Sequence, residues 1–403
     1  MATGSVLAMT AALILVVVGV AAFLSLRHNT INTTSITNAN ASQKTIPISS
    51  TIPTSTNLVT TTIANMATTS VIPSINTGYL YAPNFENATV SVIDPTSYKV
   101  IATISVGNDP EGLVVTQDGR FAYVSDSNTE NQQTLINFIY VIDTITNDVV
   151  SEIQVYGHPF GLAISPDGKQ VYATTSAGKQ STVTVISTST NKVIGTIAVG
   201  SQPNSAAFSP DGKFAYISCF GVNSIYVVNT SSMSVIREIP VGAEPGAVAV
   251  SPDGKTVYVT NTQGDSVSVI NSSNMGVTDT IPIGSSVAAV EFSNSGGRAY
   301  VAGYGNGDLI VINTTSRSIV KEISVGELPN GIAISPDGKF VYVTVASLPG
   351  GPKGTKSGVD GLPPTLQTPG YIVVVNATTY SIVAEVQVGR FPFSIADGPI
   401  NSV

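Results

Sequence analysis

Charge is scarce in this chain of 403 residues: Asp, Glu, Lys and Arg together make up 10% of it, against ~25% in ordinary soluble domains. Something else must keep the surface wet, and the abundant candidates are Ser, Thr and Asn, a habit of exported proteins. Acids outnumber bases for a net charge of −8, and no basic stripe exists to neutralise phosphates, which excludes nucleic acid as a partner. The lone Cys219 excludes an internal disulfide framework and a cysteine-based zinc site. Two histidines, His28 and His158, are too few for a transition-metal site built from several imidazoles. Haem attachment lacks its Cys-x-x-Cys-His, and a serine hydrolase its Gly-x-Ser-x-Gly elbow. With no tryptophan, Gly157-His158 cannot open a WD-type repeat.

Two segments precede the repetitive part. Val6 to Leu26 is a nearly unbroken apolar run, long enough as a helix to span a ~30 Å hydrocarbon core. The spacing predicts a membrane helix over 6–26 within a segment 1–28, either an uncleaved signal anchor or a long signal peptide. Residues 29–77 then turn to Thr, Ser and Asn, 28 of 49, with Lys44 the one charge. Such a stretch buries too little apolar surface to fold and is expected to form a disordered stalk. It carries the sequons Asn32-Thr33-Thr34 and Asn40-Ala41-Ser42.

Residues 78–403 repeat. The clearest unit runs from Val241 to Pro282, and its glycine recurs at Gly107, Gly157, Gly200, Gly242, Gly284, Gly326 and Gly389. The middle spacings are 42 or 43 residues, the length of a four-stranded propeller blade. Ser251-Pro252-Asp253-Gly254 reads as a hairpin turn and Val257-Tyr258-Val259-Thr260 as the strand after it. Strands such as Phe340-Val341-Tyr342-Val343 are apolar on both faces, as sheets sandwiched between neighbours must be. The first sheet opens at Tyr79–Pro83, a second-type strand, while the chain closes on a first-type strand, Pro392–Ala396. Each strand type therefore occurs seven times, and the last strand fills the gap in the first blade. The expected fold is all-β, a seven-bladed propeller of four-stranded antiparallel blades closed by its two ends and preceded by the N-terminal helix.

The Val-Gly-x-x-Pro, Ser-Pro-Asp-Gly-Lys, Val-Tyr-Val-Thr-Asn and Val-Ile-Asn/Asp blocks resemble the YVTN family of β-propeller repeats, found in archaeal surface-layer proteins and secreted bacterial proteins. The fifth full repeat departs from them, with Val287 for Pro and Asn294-Ser295-Gly296 for Pro-Asp-Gly. The resemblance implies an extracellular propeller and no single activity.

Insertions at Ser127–Asn137 and Ser347–Gly370 interrupt the period between second and third strands. That connection shares an end of the propeller with the loop into the innermost strand, and loops on a rigid scaffold are where binding resides. On this face the innermost strands should open with Glu111, Phe160, Asn204, Gly246, Asn330 and Phe393, beside Asp109, His158, Glu244, Glu327 and Arg390. Together they would ring the mouth of the central channel, an acidic rim with aromatic patches suited to a sugar, a peptide or a cation. No catalytic residues are assigned. A hard cation such as calcium would draw on Glu111, Asn204, Glu244 and Asn330, as in seven-bladed lactonase-type enzymes. On the opposite face Asn229, Asn271, Asn313 and Asn376 open sequons just after the third strand, a position where Asn also serves simply as a turn former. Asn87-Ala88-Thr89 is a sequon on the insertion-bearing side.

These features lead to a non-catalytic binding, adhesion or surface-layer-like display module. It would be held at the cell surface by its N-terminal helix, or secreted if the signal is cleaved, with an extracellular protein or carbohydrate as partner. The alternatives are a secreted lactonase- or lyase-like enzyme using the channel mouth, and a lattice subunit that self-associates.

Overall fold

The repeat folds because short polar residues close its turns. In the best-kept unit, the Ser251 hydroxyl donates to Asp253 Oδ1 at 2.7 Å and the Gly254 amide to Ser251 O at 2.8 Å, with Gly254 at φ +72°. The β-branched and aromatic strand Thr256–Asn261 follows, then Ser266–Asn271 and Gly276–Pro282. In this computed structural model, which describes residues 78–128, 135–177, 181–347 and 368–398, seven such four-stranded antiparallel sheets occur. The apolar segment 6–26 and the stalk 29–77 lie outside the described residues. None of the helices described is long and apolar enough to cross a membrane.

The innermost strands are Ala396–Asp397, Pro110–Val115, His158–Ile164, Pro203–Phe208, Pro245–Val250, Val290–Phe292 and Ile332–Ile334, defining blades 1 to 7. Each touches the next, and that of blade 7 touches that of blade 1, so the ring is closed. Closure is made by the chain ends as the strand tally requires: Leu80 pairs with Asp397 and Tyr81 with Ala396. Regular pairing is shorter than the anticipated Pro392–Ala396. Pro83 and Pro392 have no N–H to donate, so the latch continues as an Asn84–Pro392 bridge and a bond from the Phe393 amide to Pro83 O, 3.0 Å.

Blade faces meet in seven apolar clusters. The repeated tyrosines Tyr81, Tyr123, Tyr172, Tyr216, Tyr258, Tyr300 and Tyr342 are all buried, one in each second strand. Between blades a hydroxyl two residues beyond the tyrosine stitches one sheet to the next. Ser125 Oγ donates to Phe160 O (2.6 Å), Thr174 Oγ1 to Asn204 O (3.0 Å), Ser218 Oγ to Gly246 O, and Thr260 Oγ1 to Ala288 O (3.0 Å). In blade 1, where Pro83 occupies that position, Ser394 Oγ reaches Glu111 O instead, at 2.6 Å. Blade 6 has Ala302 there and no hydroxyl to give.

The recurring glycine is a packing requirement. A Cβ on Gly242 would stand 2.4 Å from Asn261 Cγ, and one on Gly107 1.7 Å from Asp126 Oδ2. The outermost strands are mostly exposed, each with a buried aliphatic residue near its end such as Ile281, and a bulge bends the pairing of each at the same point of the repeat, for example between Val269 and Ile270; bulged edges resist pairing with another chain.

Candidate functional site

Backbone hydrogen bonds sort the loops onto two ends. On one, the segments entering the innermost strands meet the second-to-third-strand connections: Ser127 N to Asp109 O (3.1 Å), Phe220 N to Gln202 O (2.9 Å), Thr262 N to Glu244 O (3.0 Å) and Glu327 N to Ser347 O (2.8 Å). This is the insertion-bearing end. Gln202, Glu244, Leu328 and Phe391, each preceding the proline of its loop, hold positive φ near 50°, a conformation that costs non-glycine residues energy and concentrates at binding sites.

On the opposite end four blades repeat one turn. Asp167, Asp211, Asp253 and Asp337 pair with Lys169, Lys213, Lys255 and Lys339 at 2.9–3.5 Å. The lysine and serine bonds hold the Asp211 and Asp337 carboxyls down to about 2. In these four blades the turn's carboxylate is neutralised by its own lysine.

The predicted site residues fall into one arc and two outliers. Glu111 is not a solvated rim acid: it is 1% exposed and turned into blade 2, where Oε1 accepts the Ser127 hydroxyl at 2.6 Å. Oε2 is buried with no hydrogen-bond partner. Burial raises this carboxyl well above its ordinary range, more than the Ser127 bond lowers it, and Asp109 and Asp126 push the same way. Asp126 is buried too, accepting from the Asp109 amide (2.9 Å) and the Asn128 amide (3.2 Å), and is raised by the same loss of solvent.

His158 reaches Ser127 from blade 3, its Nδ1 2.7 Å from the Ser127 carbonyl. A carbonyl can only accept, so Nδ1 donates this bond. The imidazole thus addresses the main chain of Ser127 and not its hydroxyl, which already serves Glu111. Asn137 Nδ2 donates to Gly157 O beneath it, at 2.8 Å. Phe160 follows on the same strand, its carbonyl held by Ser125.

Blade 1 completes the arc. Phe393 packs with Phe85 and Phe391, ring centroids 6.0–6.2 Å apart. Arg390 crosses to the first loop, donating from Nη2 to Glu86 O at 2.9 Å, and its amide bonds Asn87 Oδ1. Ser394 ties this group to Glu111. Asn204 extends the arc through Thr174. Glu244 and Asn330 stand apart: the Glu244 amide bonds Asn223 Oδ1 (2.8 Å) with its carboxyl raised by burial, and the Asn330 amide bonds Thr344 O (3.0 Å). Among the described residues no three acids, histidines or cysteines are grouped to hold a metal ion.

Sequence reasoning missed Asp126, Ser127 and Asn137, and two acids in innermost strands. Glu291 stands opposite Tyr300 where the other blades have Ala or Val, and burial raises it to about 7. Asp397 stands in the latch strand where other blades have large apolar residues. Burial, then Asp337, raises it to about 8, and its Oδ1 is unpartnered. In both cases the signal available was a carboxylate breaking the repeat's apolar column.

Comparison with known proteins agrees with this architecture. Residues 206–337 match the family model described as YNCE-like beta-propeller. No curated protein matches. Among solved structures the chain is similar to a functionally unknown protein from Desulfotomaculum acetoxidans DSM 771, at 15% identity and TM-score 0.63, covering 80% of this chain and 99% of that one. It is also similar to Kuenenia stuttgartiensis Hydrazine Synthase, at 20% identity and TM-score 0.60, covering 78% and 93%. At such identities the likeness is one of fold: the chain belongs among the β-propeller repeat proteins, with seven blades.

Proposed function

We propose that this chain is a non-catalytic binding module of the cell surface or of the secreted fraction, similar in role to surface-layer propellers. It engages an extracellular carbohydrate or protein through its insertion-bearing face. The observation that carries the reading is the inequality of the two ends. One repeats the same Asp–Lys turn in four blades, while the other gathers both insertions, the phenylalanine trio with Arg390, and the buried polar group around Glu111. A buried carboxyl, a histidine and aromatic edges suit hydroxyl-rich or peptide ligands. The apolar segment 6–26 and the Thr-rich segment 29–77 support export and display.

The test is binding of the purified full chain to arrays of surface polysaccharides and of peptides. Arg390→Ala and Phe393→Ala, on the proposed face, are compared with Lys213→Ala and Lys339→Ala on the other. The first pair should weaken binding tenfold or more and the second leave it unchanged; the reverse pattern refutes the assignment of the face.

A further inference from the structure

We propose that Asn229, Asn271, Asn313 and Asn376 are N-glycosylation sites that clothe the end of blades 4 to 7 opposite the binding face, an inference that rests on the extracellular reading above. The turn after the third strand needs an acceptor oxygen, and Asp provides it in blades 1 and 2: Asp94 accepts the Thr96 amide (2.8 Å) and Asp143 the Ile145 amide (2.9 Å). In blades 4 to 7 the Asn Oδ1 does the same work, accepting from Ser232, Ser273, Thr315 and Thr378 at 2.9–3.0 Å. The middle residue is structural too where it has a hydroxyl, since Thr230, Ser272 and Thr314 bond the glycine carbonyl of the neighbouring turn at 2.6–2.7 Å.

What the fold does not use is the remainder of the tripeptide. The Nδ2 of the four asparagines and the hydroxyls of Ser231, Ser273, Thr315 and Thr378 make no hydrogen bond, and the four hydroxyl residues are exposed. These are the two groups a sequon requires. Asn87-Ala88-Thr89 supplies the internal contrast. There the fold employs both parts, Asn87 Oδ1 for the Arg390 amide and Thr89 Oγ1 for Asn84 Nδ2 (3.0 Å), so its sequon is accounted for by packing and is excluded from the proposal. The donor is a lipid-diphosphate-linked oligosaccharide. The bond from sugar C1 to phosphate oxygen breaks, C1 bonds to Nδ2, Nδ2 loses one proton, and the lipid diphosphate leaves with the bonding pair. Four neutral glycans on one end would also keep a chain of so few charges soluble.

The experiment is glycopeptide mass spectrometry of the full chain from its native cells, together with protease treatment of intact cells to report its side of the membrane. Glycan is expected on all four asparagines and absent from Asn87. Each Asn→Asp variant, which keeps the turn acceptor, should lower the intact mass by one glycan, and Thr315→Ala should abolish modification of Asn313 alone. Bare peptides from a protease-accessible chain overturn the glycan assignment while leaving surface display standing. Bare peptides from a protease-protected chain overturn both, and modification of Asn87 without the four overturns the face assignment.

Discussion

Replacing Thr260 by Val removes one oxygen from the interior and keeps the shape. That oxygen does two jobs: it donates to Ala288 O of blade 6 at 3.0 Å and accepts the Ala247 amide of its own innermost strand at 2.8 Å. Thr260 is fully buried, so no water replaces it, and the substitution leaves a carbonyl and an amide unpaired. Each orphaned group costs about 1–3 kcal/mol. The methyl that takes the oxygen's place recovers part of this through apolar contact, so a net loss of about 2–4 kcal/mol is expected. Urea unfolding monitored by tyrosine fluorescence should show a lower midpoint at unchanged slope, with Thr260→Ser, which keeps the hydroxyl, within about 1 kcal/mol of the parent. If the valine variant is as stable as the parent, inter-blade stitching is not a source of stability and the reasoning fails.

Two further outcomes follow from buried groups. Folded Glu291 holds its proton up to about 7, and folded Asp397 up to about 8. The unfolded chain releases both near 4, so stability falls as pH rises from about 4 through these values and levels off above them. For Glu291 the loss amounts to about 3 kcal/mol. Thermal melts of Glu291→Gln should be flatter than the parent's between pH 4.5 and 7 and higher at pH 7; an unaltered pH profile would contradict the assignment. Burial pushes the Cys219 thiol up to about 12, so a thiol-specific disulfide reagent should react with it at pH 8 only after denaturant is added, and rapid reaction of the native protein would show the site to be open.

The architecture was legible because it is written seven times. A 42-residue period, a turn tetrad and a strand apolar on both faces give the blade, and the mismatch between the first and last strand types gives the closure. The site was legible only in outline. The register of Val-Gly-x-x-Pro placed Glu111, Phe160, Asn204 and Phe393 on one rim, yet it could not foresee that Glu111 turns inward. Its environment is assembled from Ser127, Asp126 and Asp109 in one blade and His158 in the next. Nor could it give Asn87 its role, since the Arg390 amide it holds is 303 positions away. Local pattern specifies strands; contacts between distant loops are set by how seven blades meet.

The decisive measurement is amide hydrogen exchange of Leu80–Asn84 in the full chain against a chain ended after Val388. The latch supplies the Leu80–Asp397 and Tyr81–Ala396 pairs, the bonds of Phe393 to Pro83 and of Gly398 to Tyr79, and the burial of Ile395 beside Leu80. Without it the first blade should lose its exchange protection and the whole ring its cooperative melting. Undiminished protection and an unchanged melting temperature would mean that the ring does not depend on its chain ends, and would contradict closure by the terminal latch.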